Sequence, residues 1–477
     1  MYNPTKQPFN GKIMFRKFTL SALLSACLSI CLFNTLRAEE PEEPFVVKLA
    51  TESHLNPLYL LPLNLNSTEL TESYCQQLEK ILAFDLSHNG STFVSKRNQD
   101  SNRLGLNSPS NAASANAWKE RNIFYVVKPE IQEKGIRAQL LDIQKQSQKN
   151  IDSILLTGDL KEDRRQIHRL ADTIHKALFG IDGIASTRIL YTIKMQNSSD
   201  SSKWISEVWE TDYDGGNPRQ LTQDRSMCVS PAYLPPKRGN RPGGFLFVSY
   251  QLGQPKIFIS SFKDEKKQRV TQMRGNQLMP AISRQRDKIA FICDITGNPD
   301  LFVQSFSPEL GATGKPQQVF AARLSTQGSP SFDPEGTRLA FVSDKDGSPK
   351  VYVLTIPSPG ANISDIKPTL ISKANRENTA PCWSPDGTKI AYCSRNKGDR
   401  QIWVYDFEKN QETQITQGSG HKENPSWAPN SLHLVFNSST PKASDLYIIN
   451  LNQQDATQIT FGPGEKRFPN WEPREPR

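Results

Sequence analysis

Six histidines, His54, His88, His168, His175, His421 and His433, have the widest chemical reach in this chain. Imidazole binds metal ions and moves protons near neutral pH. Their spacing offers neither use. No two stand four residues apart, no His-Glu-x-x-His motif occurs, and His168 and His175 lie seven apart on a predicted helix, which reads as solvated surface. Acyl transfer would call for a nucleophile elbow, but "QGSPSF" and "QGSGH" both miss the Gly-x-Ser-x-Gly pattern. There is no phosphate loop and no Gly-x-Gly-x-x-Gly. Asp344, Asp346 and Asp386 recur with turn sequences, so turn formation accounts for them. Cys75, Cys228, Cys293, Cys382 and Cys393 show no metal-type pairing and read as buried small hydrophobes. Cys382 and Cys393 flank one hairpin, which leaves a bridge between them open. The expectation is a protein without catalytic residues, metal or cofactor.

The elements that position these residues are β-strands. "PCWSPDGTKIAYCS" (Pro381 to Ser394) runs from a proline through a Ser-Pro-Asp-Gly turn into an alternating apolar strand. Asp-Gly is a strong hairpin signal because glycine accepts the positive φ of a tight turn. "SPSFDPEGTRLAFVSD" (from Ser329) nearly copies the frame, while "NPSWAPNSLHLVFNSS" (from Asn424), "MPAISRQRDKIAFICD" (from Met279) and "SPAYLPPKRGNRPGGFLFVSY" (from Ser230) keep it with altered turns. The anchoring prolines are Pro231, Pro280, Pro330, Pro381, Pro425 and Pro469, spaced 49, 50, 51, 44 and 44 residues apart. That period suits a four-stranded propeller blade. Strands such as "IFISSF", "LFVQSF" and "IWVYDF" follow each hairpin, and "QRVT" or "TQIT" segments supply a fourth.

Residues 188–223 hold the later strands of a blade without a proline hairpin before them. "FPNWEP" (Phe468 to Pro473) is the missing first strand, so the C-terminus is expected to close a six-bladed ring and remove its open edge. Phe332, Trp383, Trp427 and Trp471, each two residues after an anchor, are expected to pack between blades.

With 477 residues, 36% apolar and 22% charged, the chain is globular, and 33 prolines with 27 glycines suit a turn-rich β protein. The net charge of +9 includes Lys6, Lys12, Arg16, Lys17 and Arg37; discounting these five leaves +4, too little to argue for nucleic acid. Residues 1–38 read as an export signal, with basic residues, an apolar run from Phe18 to Phe33, a second start at Met14 and cleavage after Ala38. "LSAC", ending at Cys27, has the form of a lipidation box, but apolar residues continue past it. The run is short for a membrane span.

Residues 39–180 read as a small α/β domain and 181–477 as the propeller. Strands are predicted at Phe45–Ala50, Tyr59–Leu63, Thr92–Ser95, Ile123–Pro129, Ile136–Gln144 and Ser153–Thr157. Helices are predicted at Ser67–Leu86 and Arg164–Phe179, and the Ser/Asn-rich stretch after Val94 as a loop. The fold class is mainly β: a six-bladed propeller preceded by a small α/β domain.

The repeated hairpins, "GIDGIASTRILYTI" (Gly180 to Ile193), "DYDGGNPRQLT" (Asp212 to Thr222) and the closing "FPNWEP" resemble the TolB family of the Tol-Pal system. The resemblance covers the whole chain. It implies a monomeric, non-catalytic periplasmic scaffold that binds the lipoprotein Pal and communicates with the inner-membrane protein TolA. Its implied role is in outer-membrane integrity and constriction at cell division. The TolA strand would be "EEPFVVKLA", with Phe45, Val46 and Val47 at its centre. The Pal contacts, carried across by loop position, fall on Asn276, Met279, Gly328 and Ser329, with Thr379, His421, Lys422 and Glu423 on equivalent loops. A propeller-containing peptidase and a ligand-binding propeller are the alternatives.

Overall fold

The Ser-Pro-Asp-Gly turn shows why each repeat folds back on itself. Asp386 Oδ1 accepts from the Thr388 N–H at 3.0 Å and from the Ser384 hydroxyl at 2.5 Å. Gly387 takes φ 76°, which a side chain would strain. Asp333 does the same work one blade earlier, accepting from the N–H groups of Thr337 and Arg338 at 2.8 and 2.9 Å.

The structure is a computed structural model describing residues 55–66, 70–107, 112–197, 200–237, 241–263, 266–395, 398–453 and 455–475. The signal at 1–38, with Cys27, and the strand expected around Phe45, Val46 and Val47 lie outside the described residues. Those described belong to one compact unit.

Six four-stranded antiparallel sheets form the blades. Blade I joins Glu465–Trp471 to Arg188–Asn197, Asp200–Asp212 and Arg219–Gln220. The C-terminal strand is therefore the innermost strand of the first blade, with Trp471 opposite Ile189 and Glu465 opposite Lys194. The innermost strands of blades II to VI are Cys228–Tyr233, Gln277–Ile282, Gln327–Phe332, Glu377–Trp383 and His421–Trp427. All six break register at the anchor proline, between Val229 and Ala232 in blade II and between Arg467 and Asn470 in blade I. Proline has no N–H for the ladder, so a bulge is where a strand tolerates it.

The anchor aromatics sew neighbouring blades together. Trp427 Nε1 donates to the Cys382 carbonyl at 3.0 Å, and the Trp383 and Trp471 N–H groups donate to Ser331 and Ser426 hydroxyls, each at 3.0 Å.

The leading part is a six-stranded sheet with four helices. Strands β1 (Asn56–Leu60), β2 (Asn64–Asn66), β3 (Thr92–Val94), β4 (Tyr125–Gln132), β5 (Gly135–Asp142) and β6 (Ser147–Leu155) run in the order β3-β1-β4-β5-β6, with β2 also on β4. Helices α1 (Glu72–Ser87) and α4 (Leu160–Phe179) cover it; Thr71 and Asp159 cap their N-termini, and Gly180 ends α4. The stretch read as a loop is instead helical, in α2 (Gln99–Asn107) and α3 (Ala112–Glu120). Ala115 and Trp118 bury against Tyr59, and this apolar contact overrides the weak helix propensity of the Ser/Asn run.

One apolar cluster spans both parts, joining Leu78, Ile167 and Ile174 to Tyr213, Val435, Ile448 and Trp471. Polar contacts flank it: His88 Nε2 lies 3.0 Å from Thr457 Oγ1, Asn452 donates to the Gly90 carbonyl at 3.0 Å, and Asn217 donates to the Lys161 carbonyl at 3.0 Å. Asn452 belongs to a hairpin turn of blade VI and Asn217 to one of blade I. The α/β part thus sits on the side of the Ser-Pro-Asp-Gly turns, and the loops that lead into the innermost strands ring the channel's other mouth.

Candidate functional site

Six residues stand immediately before the anchor prolines: Ser230, Met279, Ser329, Ala380, Asn424 and Phe468. All six are left-handed, with φ of 51°, 52°, 47°, 50°, 55° and 53°. A non-glycine residue held there costs on the order of 1 kcal/mol or more, so a sixfold repeat requires a ring that over-determines it. The bulge steps each residue out of the ladder into the central channel. These residues and their prolines line a channel cavity of about 390 Å³ that continues past Asp333, Pro334 and Pro385 toward the Ser-Pro-Asp-Gly turns.

The named loop residues fall into three groups. Met279, Gly328 and Ser329 meet across the boundary between blades III and IV. The Ser329 N–H lies 3.1 Å from Met279 Sδ, Met279 is 40% exposed, and a Cβ on Gly328 would come 3.7 Å from the same sulfur. Asn276 and Thr379 lie on the same rim, half-buried. Asn276 gives its backbone and side-chain N–H groups to Asp294 at 2.7 and 2.6 Å, which shapes the loop. His421 and Glu423 are tied to Arg400, whose backbone N–H donates to His421 Nδ1 at 3.2 Å and whose guanidinium meets Glu423 at 2.6 Å.

Lys422 is a correction. It is buried, and its ammonium donates inward to the carbonyls of Gly418, Ser419 and Gly420. Its ammonium therefore braces the loop from within instead of standing out from the rim. Burial lowers its pKa, partly offset by Asp399. Ser230, Ala380, Asn424 and Phe468 hold the position equivalent to Met279 and Ser329, immediately before an anchor.

His168 and His175 are corrected too: both are buried on the inner face of α4. His168 Nδ1 lies 2.8 Å from Asp85 Oδ2, and Asp85 Oδ1 accepts from the Tyr213 hydroxyl at 2.9 Å. His168 Nε2 faces Asp212 and Asp214, each at 3.9 Å. Burial alone would lower its pKa, but Asp85, Asp214 and Asp212 outweigh it and raise it to about 9. Asp85, His168 and Asp214 bring ligand atoms within 4.8 Å of one another, as a metal site would. Arg164 pairs with Asp214 and stands 3.8 Å from Asp212, while Arg188 is shared between Glu210 at 3.2 Å and Asp212 at 4.0 Å, so protein cations already face these carboxylates. This is an ionic lock between the α/β part and the propeller.

All five described cysteines are free. Cys382 stands opposite Ala391 and Cys393 opposite Thr379, so the two are out of register for a bridge. Burial pushes the Cys382 thiol up to about 11 and the Cys393 thiol to about 12, away from nucleophilic thiolate. Thiol titration of the denatured, unreduced chain from residue 39 onward should therefore find five thiols; three would mean one bridge.

Comparison with known proteins agrees with this architecture. The family model described as TolB beta propeller domain matches residues 175–475. A "Protein TolB homolog" of Protochlamydia amoebophila is 58% identical over 402 residues, 84% of this chain and 85% of that protein. A "Protein TolB homolog" of Chlamydia abortus is 43% identical over 278 residues, covering 58% of this chain and 63% of its own length. The crystal structure of TolB from Acinetobacter baumannii superposes with a TM-score of 0.71 over 89% of this chain and 98% of its own, at 22% identity. This chain belongs to the TolB family.

Proposed function

We propose that the protein is a non-catalytic periplasmic scaffold of a Tol-Pal system, docking the lipoprotein Pal on the channel mouth ringed by the loops that lead into the innermost strands. Its leading segment, with Phe45, Val46 and Val47, would reach a TolA-like inner-membrane protein. This assigns it to outer-membrane integrity and constriction during division, with residues 39–180 and 181–477 as its domains. The observation that carries the reading is the mouth. Its six pre-proline residues differ in type yet are held in one conformation, and exposed apolar side chains (Tyr250, Leu252, Ile295, Leu324, Phe461) occupy loops on the same side. Fold maintenance needs the prolines and the bulge, and leaves the variable residues free for recognition.

The test is binding of the chain from residue 39 to the soluble domain of the same organism's Pal. Ser329→Trp, which fills the mouth beside Met279, should weaken capture at least about tenfold, the effect of roughly 1.4 kcal/mol. An equally bulky change on the opposite side, at exposed Lys409, should leave it unchanged. Normal capture by Ser329→Trp would remove the mouth from the interface.

A further inference from the structure

The loops that lead into the innermost strands of blades II to V each carry an arginine: Arg225, Arg274, Arg323 and Arg376. They stand 6, 6, 7 and 5 residues before Pro231, Pro280, Pro330 and Pro381. All four are exposed, and among the described residues none of their side chains has an ion pair or hydrogen bond. Several other cations on this side are matched: Lys267 with Asp224, Arg395 with Glu377, Arg400 with Glu423, Lys345 with Asp346, and Lys194 with Glu465. The acids beside the four loops are also engaged. Asp224 holds Lys267, Asp294 holds Asn276, and Asp344 accepts from the Thr326 N–H at 2.6 Å.

Blades VI and I break the pattern. Their equivalent loops, "TQGSG" and "TFGPG", contain no charge, and Phe461 is exposed. Beside them rises the longest hairpin of the propeller, Arg188–Asn197 with Asp200–Asp212, carrying exposed Met195 and Trp204. The mouth therefore has a basic arc over four adjoining blades, whereas the entry loops of the other two carry no charge and stand beside the aromatic rings of Phe461 and Trp204.

We propose that this asymmetry sets the orientation of a folded protein partner. Its acidic surface would meet the arginine arc, and its apolar surface would meet Phe461 and Trp204. The inference rests on the mouth being the docking face and adds the chemistry of what docks. Unpaired guanidiniums are costly to bury without carboxylates and take them in bidentate geometry. An arc of fixed charge also speeds encounter by steering, an effect that salt removes. A protein is favoured over a lipid surface because the arginines stand on four successive blades of a closed ring, around the channel rather than on one flat face.

The experiment measures association and dissociation rates of the chain from residue 39 with the soluble domain of the same organism's Pal. It is done at about 50 and about 300 mM NaCl, which spans a large change in screening. The double variant Arg274→Glu/Arg323→Glu should slow association about tenfold at low salt and flatten the salt dependence. Dissociation should change less, and the melting temperature should not move. Phe461→Ala should instead speed dissociation without altering the salt dependence. Unchanged association in the arginine variant, with Ser329→Trp still disruptive, overturns the arc and spares the docking face. No binding by the unaltered chain at low salt overturns both. Arginine-dependent binding to vesicles of anionic phospholipid, in place of the protein, overturns the choice of partner.

Discussion

Deleting residues 465–477 is expected to leave a chain with no cooperative unfolding transition, and Trp471→Ala to cost about 3–5 kcal/mol, the range for removing a buried tryptophan. The deletion strips blade I of its innermost strand and exposes a strand edge at the channel. Trp471 is 2% exposed and joins the apolar cluster shared with α1 and α4. Its indole N–H donates to Thr187 Oγ1 at 2.8 Å, and its backbone N–H to Ser426 in blade VI. One side chain thus closes the ring and anchors the α/β part. Urea denaturation followed by tryptophan fluorescence and circular dichroism measures the loss. Leu324→Ala, at an 87% exposed position, is the neutral control. A loss near that control would mean that the ring closes without Trp471.

His168→Ala should destabilise the protein by about 3–5 kcal/mol, because it removes one partner of a buried ion pair and strands the others. Asp85 would keep only the Tyr213 hydroxyl, and Asp212 and Asp214 would lose the cation between them. The pH dependence is distinctive. The folded-state pKa, about 9, lies above the ordinary histidine value of 6.5. The protonated ring's contribution is therefore fully present below pH 6.5 and is lost as pH rises through about 9. His168→Gln should flatten the fall in melting temperature across that window. An unchanged slope would show that His168 is neutral in the folded state. Since the lock spans α1, α4 and the Tyr213–Asp214 turn, proteolysis of the α/β part should accelerate in parallel.

The propeller was legible because its signals are local and repeated. A proline, an aromatic two residues on, an Asp-Gly turn and an alternating strand sit within one stretch of chain, and the repeat tests each copy against the others. Closure by "FPNWEP" followed by elimination, since a first blade lacking its inner strand and a strand lacking its blade fit only each other. The two helices flanking the sheet were also legible from their apolar faces. The helices α2 and α3 were not: their Ser/Asn composition argues for a loop, and Trp118 finds its partner Tyr59 nearly sixty residues away.

What the sequence determined by itself is therefore the period, the blade count, the hairpin frame and the absence of recognised catalytic motifs. Only the tertiary structure decided which loop residues face outward. Lys422 and Glu423 are adjacent in a strand, yet Lys422 turns onto the carbonyls of its own loop while Glu423 pairs with Arg400. It also decided that His168, on a helix that looked solvated, meets Asp85 from 83 residues away and faces Asp212 and Asp214 across the junction. The physical reason is the same in both cases. Hairpins and bulges are written in contacts between near neighbours, whereas burial and ionisation depend on what distant segments bring to one point in space.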